Sequence, residues 1–385
     1  MAMQAHAIEA TDATQSGARN ERSARAVTGK SQSSAGLLHF YSLDNVGDAA
    51  IFAAFQRLSG QNCLPKVTAW NDKAETSFGA LVSVGGDIFN NGRPKLLTRR
   101  FIQKLSHMRW APKRTMSFGQ SVPPSCKGLS LRLLAWHLKR ISSVTVRDVA
   151  SAEKLRKLGV DVTLSVDSAF ALTQNDGDEA AARAVYAAAG LKPENTVVFS
   201  IRNFNRMYPI DQPTFLARIV ETMGHLKAQG SDVAILIQAD VNDDDSDRVI
   251  ARQLQNEVEG LAILDPFTTQ ETPWRVAFGI VDIAAQVIGT RYHTAVFRMA
   301  SGKMPVGLWY SNKGEDLNAR FGVPGAHAGD FDPKEIAALA LQYKDIAFNA
   351  GPLRRQVTTD FRNALATASR GASSTPAPVA VRGTA

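Results

Sequence analysis

Residues 286–313, QVIGTRYHTAVFRMASGKMPVGLWYSNK, decide the fold of this chain. Apolar Val287 and Ile288 run into Gly289-Thr290, and Arg291 and His293 then stand two residues apart where a helix should begin. Ala295, Val296, Met299 and Ala300 recur with the 3.6 period and give that helix a buried face. Met304 to Tyr310 is a second short apolar run, closed by Ser311-Asn312-Lys313. The order is strand, turn, helix, strand, turn. In α/β folds ligands collect at the carboxyl ends of strands, where helix N-termini offer free N–H groups. An Arg and a His on one turn, with a Lys at the next strand end, therefore predict a cationic pocket. Arg grips a carboxylate or phosphate in bidentate fashion, and His carries a proton near neutrality. A plainer reading has Arg291 paired with a structural carboxylate and His293 capping its helix, and the rest of the chain has to decide between them.

The same pattern stands upstream. Thr196–Ile201 (TVVFSI) reads as a strand whose end carries Arg202-Asn203. A helix over 213–228 and a strand over 233–238 lead into an acidic loop, Asp240 to Asp247. Asp243, Asp244 and Asp245 invite a metal reading, yet no second carboxylate cluster or His lies nearby in sequence. Acids just before a helix are ordinary N-terminal charge, so no metal ligand is assigned. A strand over 261–264 and a helix over 272–279, opened by Pro273, complete a sheet that the 286–313 stretch closes. Helices over 333–344 and 355–367 follow.

The first half repeats the alternation. Leu37 to Leu43 is a strand, Asp44-Asn45-Val46-Gly47-Asp48 a turn, and 49–58 a helix with Ile51, Ala54, Phe55 and Leu58 on one face. Short polar side chains around one Gly suit a ligand site, with a simple Asp/Asn cap as the alternative. Ala80–Val84 ends in Gly85-Gly86-Asp87, and a basic helix-like region spans 94–110. Strands over 114–118, 143–146 and 162–166 end in Gly119-Gln120-Ser121, Arg147-Asp148 and Asp167, with helices over 129–140 and 150–158 between them. Such alternation argues a parallel, doubly wound sheet. An Ala-rich helix over 177–190 bridges the two halves.

Composition narrows the class. With 385 residues, 44% hydrophobic and 21% charged, the chain can build two ordinary cores. No apolar run nears the roughly 18 residues of a membrane span, and the first thirty residues lack the apolar core of a secretory signal. Cys63 and Cys126 form no framework and no zinc motif, which suggests a reducing, cytoplasmic setting. The net charge of +8 is unevenly spread, since 13 Lys and Arg and no acid lie between Asp87 and Asp148. Trp110 and Trp136 stand among them. A solvated basic face is one reading, and peripheral contact of 93–140 with an anionic membrane or a lipid-linked substrate is another. Nucleic acid is not expected, because no recognised binding motif accompanies the charge.

Taken in order, these motifs resemble the polysaccharide pyruvyl transferases, which move an enolpyruvyl unit from phosphoenolpyruvate onto a sugar as a ketal. The resemblance runs from about Leu37 to Gly322. It rests on Asn45-x-Gly47-Asp48, Gly85-Gly86-Asp87, Phe118 to Pro124, Val146-Arg147-Asp148-x-x-Ser151, Asp167 to Phe170, and Ser200-Ile201-Arg202. Gly289-x-Arg291-x-His293 and Tyr310-x-x-Lys313 complete it. Tyr292 stands where leucine is usual, and Asp87 where the third glycine of the turn would be.

The resemblance implies two Rossmann-like domains facing a cleft, similar to GT-B glycosyltransferases. The expected layout is an N-terminal domain over 36–175, a linker helix over 176–192, a C-terminal domain over 193–330 and closing helices over 331–368, with disordered tails over 1–35 and 369–385. Arg202, Arg291, Tyr292, His293, Arg147 and Lys313 are the implied contacts to phosphoenolpyruvate. Asp44, Asn45, Gly47, Asp48 and Asp87 fall to the acceptor. His293 is the expected proton donor, and Asp48 is expected to orient or deprotonate the acceptor hydroxyl. Phosphoenolpyruvate would be a substrate, with no cofactor and no metal. The acceptor would be a bacterial saccharide or lipid-linked oligosaccharide met at the inner membrane face. The competing expectations are a nucleotide-sugar glycosyltransferase and a non-catalytic glycan-binding protein.

Overall fold

A computed structural model describes residues 35–39, 42–60, 79–91, 97–204, 208–240 and 246–373. Asp243–Asp245, Cys63, Arg93, Lys95, residues 1–34 of the first expected tail and 374–385 of the second lie outside the described residues.

The first half holds a five-stranded parallel sheet, β1 (Ala35–His39), β2 (Ala80–Gly86), β3 (Thr115–Gln120), β4 (Ser143–Val146) and β5 (Thr163–Leu164), in sequence order. The period of two sends Leu81 into one core and Val82 into another. Its helices are α1 (Val46–Ser59), α2 (Arg99–His107), α3 (Leu129–Leu138) and α4 (Val149–Arg156). α1 begins three residues before the expected start, because Asn45 accepts hydrogen bonds from the N–H groups of Gly47 and Asp48 at 2.9 and 3.3 Å. Asp148 caps α4 in the same way through Ser151 N–H. The expected bridge is α5 (Glu179–Ala188), started by the side chain of Asp178.

The second half holds six parallel strands, β6 (Thr196–Ser200), β7 (Asp232–Leu236), β8 (Ala262–Leu264), β9 (Gln286–Gly289), β10 (Val306–Trp309) and β11 (Gly325–His327). They run in the order β11-β10-β9-β6-β7-β8. Helices α6 (Gln212–Ala228), α7 (Asp247–Gln255), α8 (Pro273–Ile283), α9 (Tyr292–Ala300), α10 (Asn312–Phe321) and α11 (Pro333–Tyr343) connect them, and α12 (Gly351–Ser373) ends the fold. The 286–313 stretch does not close this sheet, as the sequence suggested. β9 pairs with β6 at the centre, and the strand order reverses between them. That reversal is where open α/β sheets bind ligands. The first sheet has no reversal, so the two halves are unlike in topology.

Three elements depart from expectation. α10 and β11 stand where only a closing turn was read. α12 continues through Ser373 rather than stopping at 367, and it packs on the first half, with Phe361 edge-on to Phe118 at 5.0 Å. One apolar core therefore runs through both halves, from Val82 and Phe118 to Val287 and Phe297. It holds the carboxyl edges of the two sheets face to face.

Candidate active site

The first wall is built from strand ends of the first sheet. Gly85 and Gly86, at the end of β2, adopt left-handed φ of 33° and 76° and lie against the start of α1. A β-carbon on Gly85 would press to 2.7 Å from the Ile51 side chain, so glycine lets the turn reach Asp48. Asp87 follows, and Arg147 at the end of β4 reaches it at 3.3 Å. The fully buried guanidinium of Arg147 also holds Asp167, beyond β5, at 2.5 Å, and its Nε donates to Ser121 at 2.8 Å. Arg320 of α10 fixes the peptide of Arg147 by donating to its carbonyl at 3.0 Å.

The second wall comes from the strand reversal. Arg202, past β6, donates to the Tyr310 hydroxyl at 2.8 Å, and its guanidinium lies over the Tyr208 and Tyr310 rings. Arg291, past β9, is held by the buried carboxylate of Asp247 through its Nε and Nη2. Asp247 in turn accepts from the N–H groups of Gln238 and Ala239. Lys313, in the first turn of α10, reaches across to Asp87 at 2.8 Å. Tyr292 presents its ring to both Arg147 and Lys313, 4.9 and 5.7 Å from the centroid. His293 lies one residue on, with Nε2 3.7 Å from Asp167.

The walls meet along a backbone seam. Val46 N–H donates to Gln238 carbonyl at 2.9 Å, and Asp240 N–H to Asp44 carbonyl at 3.0 Å. Above it the His293 ring, Nδ1 foremost, lies against Gly47 in the space that a β-carbon there would need. Between the walls is a cavity of about 130 Å³, lined by Asp48, Asp87, Arg147, Arg202, Arg291, Tyr292, His293, Tyr310 and Lys313, with Asn45 and Gln238 at the seam.

A family model, "Polysaccharide pyruvyl transferase", matches residues 45–312, which hold all of these cavity-lining side chains except Lys313, one residue beyond the match. The chain belongs to the polysaccharide pyruvyl transferase family. No curated protein matches it significantly by sequence. Among solved structures it is similar to HepE of Anabaena in complex with UDP and glucose, at 11% identity and a TM-score of 0.51. That match covers 88% of this chain and 95% of HepE. It is also similar to the UDP-GlcNAc 2-epimerase of Methanocaldococcus jannaschii, at 9% identity and a TM-score of 0.55 over 86% and 99% of the two chains. At such identities the likeness is one of fold, the GT-B-like pairing of two α/β domains.

In this family member, the cations are not the bare cluster that the sequence suggested. Arg147 faces Asp167 and Asp87, Lys313 faces Asp87, and Arg291 faces Asp247; Arg202 donates to the Tyr310 hydroxyl. Four cations thus face three carboxylates, of which burial raises that of Asp247 against the pull of Arg291. Burial would raise the Asp87 carboxyl, but Lys313 and Arg147 more than offset it and hold it at about 2. The same opposition, with Arg147 and then His293 as partners, keeps Asp167 well below the usual carboxylate range. Burial would also raise the Tyr310 hydroxyl, but Arg202 and Lys313 bring it below its ordinary value.

Two groups move the other way. Asp48 is pushed up to about 7, first by burial and then by the negative charge of Asp87. Its carboxyl takes no hydrogen bond or ion pair among the described residues and faces the cavity. Burial pushes the His293 imidazole below its ordinary value, against the pull of Asp167. The two shifts run in opposite directions, Asp48 toward the protonated carboxyl and His293 toward the neutral imidazole.

Of the residues read from sequence, Arg147, Arg202, Arg291, Tyr292, His293, Lys313, Asn45, Asp48 and Asp87 line the cavity, and Gly47 backs it. Asp44 does not: it is exposed, and its carboxylate accepts from Ser42. Asn45 lines the seam, but its side chain is spent on capping α1, as the plainer reading had it. Sequence reasoning assigned no role to Asp167 or Tyr310, although both stood in motifs, and took Asp247 only as helix-start charge. An acid closing a strand in step with Arg147 was the available signal for Asp167. Among the described residues no group of three His, Cys, Asp or Glu could hold a metal ion.

Proposed function

We propose that the cavity binds phosphoenolpyruvate and that the protein transfers its three-carbon unit to a pair of sugar hydroxyls as a pyruvate ketal. The observation that carries this reading is the convergence of Arg202, Arg291, His293 and Lys313 from one half with Asp48 from the other on a single small cavity. A volume of about 130 Å³ suits a compact anion, whereas pockets for drug-sized ligands run to about 300–1,000 Å³. Arg202 and Arg291 are placed to grip carboxylate and phosphate, each already held by a partner and so ordered before binding.

Asp48 gives its proton to the methylene carbon of the donor, and the adjacent carbon takes on oxocarbenium character. The first sugar hydroxyl adds there and loses its proton to neutral His293, whose imidazolium Asp167 stabilises. The carbon–oxygen bond to phosphate breaks with its electron pair, and His293 returns the proton to the departing phosphate. The second hydroxyl closes the ketal and reprotonates Asp48. One proton thus ends on carbon and one on phosphate, and both catalytic groups regain their starting states. Each proton transfer by a positioned group contributes about 10²–10⁴-fold.

The test is phosphate release from phosphoenolpyruvate against a panel of galactosides, glucosides and N-acetylmannosaminides. Release that depends on one acceptor class is the expected result. No release with any acceptor, together with thermal protection by a nucleotide sugar, would replace this reading with a glycosyltransferase.

A further inference from the structure

α3 has two apolar faces. Leu134, Ala135 and Leu138 point into the core between it and the first sheet. On the opposite face Leu129, Arg132 and Trp136 recur at i, i+3 and i+7 and are exposed, with Leu133 half-buried between them. Leu129 and Trp136 are 63% and 42% exposed, far more than a large apolar side chain needs to be on an idle surface. Arg140 stacks over the Trp136 ring at 3.5 Å, and Arg109, just past α2, approaches it at 5.9 Å. α2 covers the same core and adds exposed Ile102, Arg99 and Arg100. On α4, Lys154 and Arg156, with Lys157 at its C-terminal cap, outnumber Glu153.

We propose that this outer face of α2 and α3 docks on the surface of a bilayer that bears anionic phospholipid headgroups. Exposed leucine and tryptophan fit the acyl boundary, while arginines beside them lay their stems on apolar surface and keep their charge among headgroups. Charge complementarity selects the occupant, because the segment from Ile88 to Arg147 contains no acid. A second copy of the chain would set Arg132 and Arg140 against like charge. Duplex nucleic acid offers nothing apolar to Leu129. Among the described residues no helix is long and apolar enough to cross a membrane, so contact is peripheral. Ser121 to Pro124, a few residues before α3, border a recess shared with Asp87 and Lys313, so docking would bring the cleft mouth near the lipid surface.

The experiment is cosedimentation of the full chain with vesicles of phosphatidylcholine alone or mixed with phosphatidylglycerol. Binding is expected only to the mixed vesicles and should weaken as salt rises. R132E/R140E should lower it roughly tenfold or more, since each cation near an anionic surface contributes about fivefold. L129S/W136S should also lower it with charge unchanged, and both variants should unfold at the wild-type temperature. Brominated lipid should quench wild-type fluorescence more than that of Trp136→Phe. Equal binding to both vesicle types, no binding at low salt, unaltered binding by the variants, or displacement by duplex DNA would each overturn the assignment. None of these readouts involves phosphoenolpyruvate, so the outcome is independent of the proposed reaction.

Discussion

Nδ1 of His293 lies where a β-carbon of Gly47 would be, so the helix start of one half and the imidazole of the other share one space. Gly47 is in the helical α1 and has no left-handed φ. At such a position alanine would ordinarily stabilise by about 0.4–1 kcal/mol. Gly47→Ala should instead destabilise by about 1–3 kcal/mol through overpacking, and should cost on the order of 10² in turnover by displacing His293. In a His293→Ala background the same change should become stabilising. Urea unfolding of the four proteins gives the cycle, and additive effects would show that the ring is not held by Gly47.

The proton inventory predicts a bell-shaped profile. Turnover should fall as pH rises through about 7, where Asp48 ionises, and should fall on the acid side as His293 is protonated, below its ordinary value. Asp87→Asn removes a charge that raises Asp48, so the alkaline limb should move to lower pH. A limb that stays in place would detach it from Asp48.

Stability should follow the same group. The folded state favours protonated Asp48, so its contribution declines as pH rises from about 4, the unfolded value, to about 7. Asp48→Asn should match the wild type in thermal unfolding below about pH 4 and exceed it above about pH 7. An unchanged difference across that range would contradict the shift.

Asp48 and His293 are separable by isotope. In deuterated water, Asp48→Asn should lose deuterium incorporation at the methylene carbon of phosphoenolpyruvate, and His293→Ala should keep more of it while losing about 10²–10⁴ in turnover. The reverse pattern would return the acid role to His293.

The buried pair of Arg147 and Asp167 supports both walls. Asp167→Ala leaves the fully buried guanidinium of Arg147 to the more distant Asp87 and should cost about 3–5 kcal/mol in chemical denaturation. It should also lower the His293 titration seen by NMR, since Asp167 pulls that proton toward the ring.

Much of this site was legible before the fold because its residues stand at strand ends in order: the Gly47-Asp48 turn, Gly85-Gly86-Asp87, Arg147, Arg202, Arg291 and His293. What makes them a site was less legible, since the partners are distant in sequence. Asp247 lies 44 residues from Arg291, Asp87 226 residues from Lys313, and neither residue type announces its partner. The shifted state of Asp48 depends on burial and on Asp87, which only the packed cleft supplies. α10 was missed because Ser311-Asn312-Lys313-Gly314 looks like a turn. Gly314 is there to pass the Trp309 ring, which a β-carbon would approach to 2.8 Å. The central place of β9 followed from the reversal of strand order, which local periodicity does not encode.

The most direct measurement is calorimetric titration of the protein with phosphoenolpyruvate and, separately, with UDP-glucose. The account predicts that phosphoenolpyruvate binds and UDP-glucose does not. It also predicts that Arg202→Met, which removes a charge-assisted contact, weakens the binding by roughly 1.5–3 kcal/mol. Binding of UDP-glucose with no heat from phosphoenolpyruvate, or equal phosphoenolpyruvate affinity in Arg202→Met, would contradict it.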